Sequence, residues 1–201
     1  MVYEFLSGGT KLVAQPQTNA PGARGVGAEQ FLRFHLFPDT TALLSVLQMT
    51  EVLTIPITQI VPIPHMPAWV MGVYNWRGEI LWIVDMGQLL GLTPLYQQAI
   101  SRAMYTTIVI HGAKEANSRQ RTGSQIIGGK TLGLVVSQVE DIEWCHPDVI
   151  QSPPQSTVTP ELVPFLRGYW LKNNGEMLVV LDGEAIIAGM PKPEPEGENA
   201  F

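Results

Sequence analysis

Two short apolar runs on either side of a polar turn form the clearest pattern in the chain. Residues 69–74 are mostly apolar, residues 75–78 read Asn-Trp-Arg-Gly, and residues 79–84 are again apolar until Asp85. Runs this short, rich in aromatic and β-branched side chains and bounded by turn residues, are typical of strands rather than helices. The pattern predicts a β-hairpin in which Gly78 takes a positive φ.

The same pattern returns 97 residues later, at 168–182. In both copies an aspartate, Asp85 or Asp182, follows the turn glycine, Gly78 or Gly175, by seven residues. Each aspartate precedes a short apolar segment, so it is expected to cap a short helix. The shared spacing predicts two related β subdomains. A coincidence between two generic hairpins is the alternative, since turns favour Gly and Asp in any case.

Further short strands are expected along the chain. They are predicted at 31–37, 41–45, 104–111, 131–139, 141–144, 165–171 and 177–181. Residues 46–53 are ambiguous between a helical turn and a strand that starts near Thr50. Prolines in 56–67 and 147–160 favour extended connections. Many short strands with few helices predict an all-β fold.

Composition narrows the class of protein. Of 201 residues, 45% are hydrophobic and 15% are charged, which indicates a globular chain with a substantial core. A net charge of −6 argues against a general nucleic-acid binder. No apolar run is long enough to cross a bilayer, and no signal peptide is recognisable, so neither membrane insertion nor export is expected. The expected location is the cytoplasm.

Three segments differ in composition from the rest. Residues 1–28 have no periodic pattern and residues 191–201 alternate Pro and Glu, so both are predicted to be disordered tails. Residues 112–130 are predicted to be an exposed loop. The loop carries the basic residues Lys114, Arg119, Arg121 and Lys130. The predicted domain therefore spans 29–190.

The search for reactive chemistry finds no convincing site. Residues 123–131 resemble a phosphate-binding loop, but the glycine and lysine positions are out of register and a strand follows. The four histidines lack metal-ligand spacing, and a lone cysteine, Cys145, excludes a cysteine-rich metal site. Cys145 and His146 are neighbours in a strand and point to opposite faces, which disfavours a nucleophile–base pair. No metal or cofactor is expected. Four acids repeat between the two hairpins, and capping suits them better than catalysis: Glu79, Asp85, Glu176 and Asp182.

Arg77 lies in the first turn beside Trp76, which is expected to be exposed. Arg and Trp are enriched at protein–protein hot spots. A turn arginine paired with a nearby carboxylate is an equally good interpretation of the sequence.

The stretch 67–86 carries a resemblance to a known family. It reads Pro-Ala-Trp-Val-Met-Gly-Val-Tyr-Asn-Trp-Arg-Gly-Glu-Ile-Leu-Trp-Ile-Val-Asp-Met and resembles the central motif of CheW-like chemotaxis coupling proteins. Residues 48–52 and 133–139 resemble further segments of that family. Trp76 stands where leucine is usual, and Ser137 stands where aspartate is usual. The prolines and tails are similar to divergent members found in pilus-based taxis systems.

The resemblance implies two SH3-like five-stranded β-barrels packed together, in a non-enzymatic adaptor. Such an adaptor bridges the cytoplasmic tip of a chemoreceptor to the regulatory domain of a histidine kinase, and it is recruited to receptor arrays. Glu51 and Arg77 match functionally sensitive positions of the family, and we predict an exposed ion pair between them near a receptor groove. On that basis Arg77→Glu should spare folding and damage coupling. The predicted groove walls are Met49, Val52 and Leu53 on one side and Val135 and Val139 on the other.

Two other functions remain open at the level of sequence. The first is an SH3-like interaction module of an unrelated assembly. The second is a small-molecule sensor or enzyme that uses the cleft between the barrels. The second alternative predicts a closed polar pocket with converging titratable groups.

Overall fold

The computed structural model describes residues 27–98, 103–112, 131–152 and 159–191. The strands in these ranges are β1 (Glu29–Leu36), β2 (Thr40–Ser45), β3 (Met49–Pro56), β4 (Val70–Trp76), β5 (Glu79–Asp85), β6 (Met104–His111), β7 (Thr131–Val136), β8 (Gln138–Cys145), β9 (Leu166–Leu171) and β10 (Met177–Leu181). The helices in these ranges are α1 (Met86–Leu89) and α2 (Gly183–Ala188). The predicted tails 1–28 and 191–201 and the predicted loop 112–130 lie outside the described residues, apart from residues 27, 28, 112 and 191.

The strands form two five-stranded sheets, ordered β3-β6-β7-β5-β4 and β8-β1-β2-β10-β9. We call the first sheet the central barrel and the second the terminal barrel. Each sheet closes on itself through one further bridge between its edges. The segment after β3 pairs with β4 through Val61 and Val73, and the segment after β8 pairs with β9 through Gln151 and Tyr169. The predicted all-β fold of two five-stranded subdomains is confirmed.

The two predicted hairpins occupy the same position in the two barrels. In each barrel a hairpin leads into a short helix, and its second strand pairs in parallel with a neighbour: β5 with β7, and β10 with β2. Asp85 accepts a hydrogen bond from the Gln88 amide (3.1 Å) at the start of α1. Asp182 accepts bonds from the Glu184 and Ala185 amides (2.9 and 3.2 Å) at the start of α2. Both aspartates are therefore helix caps, as predicted.

A second pair of glycines extends the repeat. A Cβ atom at Gly72 would lie 2.2 Å from the Val61 carbonyl oxygen, and one at Gly168 would lie 2.6 Å from the Gln151 carbonyl oxygen. Both glycines therefore permit the close backbone approach that closes each barrel.

The largest apolar core lies between the two barrels. On β1, Leu32 and Phe34 face this inter-barrel core, whereas Phe31 fills the inside of the terminal barrel. On β5, Val84 faces the inter-barrel core and Ile83 fills the central barrel. Each such side chain contributes about 1.5–3 kcal/mol on burial. Both faces of these strands are buried, which explains their continuous apolar runs.

The predicted strand 131–139 is wrong in its extent. Strand β7 ends at Val136 and β8 begins at Gln138, in the other barrel. The chain changes barrel at Ser137, whose amide donates to the His35 carbonyl oxygen (2.9 Å). The other crossing, at Val46–Gln48, is a 3₁₀ turn before β3, so the ambiguous segment 46–53 contains both a helical turn and a strand.

Candidate docking site on the β4–β5 hairpin

The turn between β4 and β5 is tighter than the sequence predicted. Asn75 and Trp76 belong to β4, and Trp76 pairs with Glu79, so the loop consists of Arg77 and Gly78 alone. Their φ angles are 57° and 84°, as a type I′ turn requires at both positions. The Asn75 side-chain oxygen accepts a hydrogen bond from the Gly78 amide at 3.0 Å. A positive φ costs a non-glycine residue about 1–2 kcal/mol, so Arg77 is held in a strained conformation.

The strained arginine is bound to a carboxylate from the opposite edge of the sheet. Arg77 Nη2 donates to Glu51 Oε2 at 2.9 Å, and Trp76 Nε1 donates to Glu51 Oε1 at 2.7 Å. The guanidinium carbon lies 5.2 Å from the centre of the Trp76 ring, within the range of a cation–π contact. We call Glu51, Trp76 and Arg77 the Glu51 cluster. Because β3 and β4 are the edge strands of the central sheet, the cluster joins its two edges.

Burial divides the cluster into an inner and an outer part. The Glu51 side chain is 6% exposed and the Arg77 side chain is 62% exposed. Trp76 is half-buried and packs against the core of the central barrel. The predicted ion pair is present and its arginine is exposed, but its glutamate is buried and Trp76 is half-buried, so the prediction of an exposed site is only partly correct. Arg77→Glu would remove the cation paired with a buried carboxylate, so we now expect it to destabilise the fold.

The five predicted groove residues do not form one exposed wall. Val52 is buried in the inter-barrel core, and Leu53 and Val135 are buried inside the central barrel. Met49 and Val139 are partly exposed and pack against the inter-barrel core. Successive strand residues point to opposite faces, which separates Val52 from Leu53. Buried side chains cannot line an open groove, so that assignment is wrong for the three buried residues.

The sequence did not reveal that Ile80 and Leu47, among other apolar residues, are exposed. Ile80, opposite Asn75 in the hairpin, is 73% exposed, and Leu47 is 80% exposed in the turn that crosses between the barrels. Both lie in otherwise apolar stretches, where nothing in the local pattern distinguishes a core residue from an exposed one. Ile80 places an apolar side chain on the same hairpin as Arg77.

The terminal barrel carries a different charge network. Arg33 Nε lies 2.5 Å from Glu140 Oε2, and its Nη atoms donate to Glu143 (3.3 Å) and Glu176 (2.5 Å). Lys172 also donates to Glu143, at 2.5 Å. The Arg33 side chain is only 18% exposed. Three carboxylates therefore surround a nearly buried cation here, whereas the cation of the Glu51 cluster faces solvent. Glu176 is thus an ion-pair partner and not a cap.

The candidate reactive groups have structural roles. The Cys145 thiol donates to the His146 carbonyl oxygen (3.4 Å), and burial raises its pKa to about 11. A thiol with that pKa is a poor nucleophile at neutral pH. In the described ranges, no three His, Cys, Asp or Glu side chains are grouped as metal ligands would be. No described helix is long and apolar enough to span a membrane.

Comparisons with known proteins agree with this architecture. Residues 30–189 match the family described as CheW-like domain. The chain is 30% identical over 125 residues to the probable chemotaxis protein CheW of Rhizobium etli, covering 62% of this chain and 67% of that protein. It is 29% identical over 130 residues to the chemotaxis protein CheW of Rhizobium meliloti, covering 65% and 70%. The crystal structure of the scaffolding protein TtCheW from Thermoanaerobacter tengcongensis has the same fold, with a TM-score of 0.58, 20% identity, and coverage of 77% of this chain and 89% of that one.

Proposed function

The chain belongs to the CheW-like domain family, and from this premise we propose that it is a chemotaxis adaptor that couples chemoreceptors to a histidine kinase without catalysing a reaction. The observation that carries the proposal is the family match, which extends over both barrels from residue 30 to residue 189. We take 29–190 as the adaptor domain. The adaptor works in the cytoplasm, at receptor arrays.

The Glu51 cluster is the proposed docking site for the regulatory domain of the kinase. Arg77 is bound by Glu51 and stacked on Trp76, so little side-chain entropy remains to be lost when a partner binds. Within the described residues only its Nη2 donates a hydrogen bond, which leaves the other guanidinium N–H groups for a partner carboxylate or carbonyl. Ile80 supplies apolar contact on the same hairpin. An arginine beside exposed apolar surface is typical of interface hot spots.

The proposed receptor site lies at the seam between the barrels, where the chain crosses from β2 to β3. Leu47 is 80% exposed there. Met49 and Val139 reach the surface from the edge of the inter-barrel core, and β1 contacts both the Leu47 turn and β8. A helical receptor tip would lay its apolar face along such a seam.

Co-purification with each partner tests the two sites separately. Arg77→Gln keeps an amide donor for Glu51 and removes the charge, so we expect weaker capture of the kinase regulatory domain and unchanged capture of the receptor tip. The matched control is Arg167→Gln, because Arg167 also pairs with a carboxylate at 2.9 Å, that of Glu29, but on the terminal barrel. We expect this control to bind both partners normally.

Leu47→Asp tests the receptor site. Leu47 is exposed, so the change should leave stability within about 0.5 kcal/mol while it weakens capture of the receptor tip. If the unmodified chain captures neither partner, the adaptor function is wrong. Equal losses in Arg77→Gln and Arg167→Gln would show that Arg77 has no special role.

A further inference from the structure

An apolar cavity of about 180 Å³ lies between the two barrels and is partly open to solvent. Its lining residues are Leu36, Thr40, Ala42, Leu90, Leu92, Thr159, Leu162, Tyr169, Met177 and Val179. Those at its floor, such as Ala42 and Leu90, belong to the inter-barrel core. Met177, 49% exposed, stands at its mouth. None of the described residues that line it is charged, so the cavity is unsuited to an ionic ligand.

Two hydroxyl groups of the lining, those of Thr40 and Tyr169, have no hydrogen-bond partner among the described residues. Tyr169 is 7% exposed, and no described residue forms a hydrogen bond with its hydroxyl. Its hydroxyl oxygen is not fully buried, and tyrosine hydroxyls usually find a hydrogen-bond partner. The Thr159 hydroxyl, by contrast, already donates to the Leu90 carbonyl oxygen at 3.2 Å. Tyr169 is the more buried of the two unpartnered residues, so we assign its hydroxyl as the donor to an occupant of the cavity.

The volume sets the size of that occupant. A cavity of roughly 150 Å³ lined by aliphatic and aromatic side chains accepts a benzene-sized molecule, and this cavity is slightly larger. We propose that it binds a small, uncharged, monocyclic aromatic compound that carries one hydrogen-bond acceptor, which Tyr169 recognises. The ligand would touch Leu90 and Leu92 after α1 of the central barrel and Tyr169 and Val179 of the terminal barrel. This ligand-binding role goes beyond coupling and does not depend on it.

The test uses two probes of nearly equal size, acetophenone with a carbonyl acceptor and ethylbenzene without one. Both are titrated into the full chain, and binding is followed by amide chemical shifts and by the melting temperature, which rises with bound ligand. We expect saturable binding of both, with a Kd on the order of 1 mM or tighter for acetophenone. Tyr169→Phe should weaken acetophenone about five-fold, as expected for one lost neutral hydrogen bond, and should leave ethylbenzene unchanged.

Two variants locate the site. Ala42→Val fills the floor of the cavity, and Met177→Trp blocks its mouth. Met104→Trp is the matched control, because Met104 is exposed to a similar degree, 44% against 49%, on the central barrel. We expect the two cavity variants to abolish binding of both probes and the control to retain it. If Ala42→Val does not fold, Met177→Trp at the exposed mouth decides the matter alone.

Three results would overturn the proposal. The first is the absence of saturable binding of both probes. The second is binding that survives in Met177→Trp, which would place the probes elsewhere. The third is an equal effect of Tyr169→Phe on both probes, which would remove the hydroxyl from recognition. The measurements contain no kinase or receptor, so their outcome is independent of the adaptor function.

Discussion

Reversal of the charge at Arg77 tests whether Glu51 is held as a buried carboxylate. An exposed ion pair contributes about 0–1 kcal/mol, and removal of one partner from a fully buried pair costs about 3–5 kcal/mol. The Glu51 side chain is 6% exposed and that of Arg77 is 62% exposed, so this pair lies between the two limits. In Arg77→Glu the new carboxylate turns into solvent, but Glu51 keeps only the Trp76 N–H as a donor. We expect a loss of about 2 kcal/mol.

The loss corresponds to a melting temperature about 4–8 °C lower for a chain of this size, measured by far-UV circular dichroism together with urea unfolding. A second substitution in the same chain, Glu51→Gln, should recover more than half of it. The amide oxygen would still accept from Trp76, and the neutral amide would leave no uncompensated charge in this buried position. A recovery of this kind identifies the uncompensated buried charge of Glu51 as the cause.

The exposed pair between Arg167 and Glu29 provides the control. Its atoms are also 2.9 Å apart, but the side chains are 36% and 32% exposed. Arg167→Glu should therefore cost no more than about 1 kcal/mol. The reasoning is refuted if Arg77→Glu and Arg167→Glu lower the melting temperature equally. It is also refuted if Glu51→Gln deepens the loss in the Arg77→Glu chain.

Three further predictions concern stability and reactivity. Gly72→Ala should destabilise the fold far more than Gly78→Ala in a thermal melt, because a Cβ at Gly72 would lie 2.2 Å from a carbonyl oxygen whereas nothing lies within 4 Å at Gly78; similar losses would contradict the closure of the barrel. Cys145 should react with a thiol reagent at pH 8 only as fast as the chain unfolds, because the residue is 2% exposed and burial raises the pKa of its thiol to about 11. Fast labelling of the folded chain would show that the thiol is accessible. The hydrogen bond from His35 and the nearby charge of Arg33 lower the pKa of Glu140. The contribution of Glu140 to stability is therefore complete above the ordinary pKa of 4.5 and is lost as the pH falls through the lowered pKa. Urea unfolding between pH 2 and 6 should show that Glu140→Gln loses less stability on acidification than the unmodified chain.

The hairpins and their helix caps were predictable because they are local. A turn glycine, two apolar runs and an aspartate at fixed spacing determine β4, β5 and α1 within 20 residues, and the repeat at Asp182 follows from the same spacing. The pairing of Glu51 with Arg77 was expected only from the family resemblance. The burial of Glu51 was not expected, because the sequence does not show whether a single carboxylate in an apolar strand faces solvent or the protein interior.

Long-range features were out of reach of the sequence. Arg33 meets Glu140, Glu143 and Glu176 across separations of more than 100 residues, and no local pattern joins them. The sequence also does not show that the chain changes barrel at Ser137. Apolar residues continue on both sides of Ser137 because both barrels bury their strands. The groove assignment failed in the same way, because hydrophobicity alone does not separate an exposed Leu47 from a buried Val135.

The comparison of the two barrels gives a physical reason to place function at Arg77. Both copies satisfy the shared requirements of the fold: an aspartate caps the helix, and a glycine permits the close approach that closes the barrel. Residues that differ between the copies are not needed for those tasks. In a two-residue type I′ turn, asparagine or glycine adopts the positive φ at lower cost than arginine. Arg77 therefore adds strain that glycine or asparagine would avoid, and its ion pair with Glu51 offsets that strain within the domain. Its exposed guanidinium, fixed by Glu51 and Trp76, is the group that the proposed docking partner would bind.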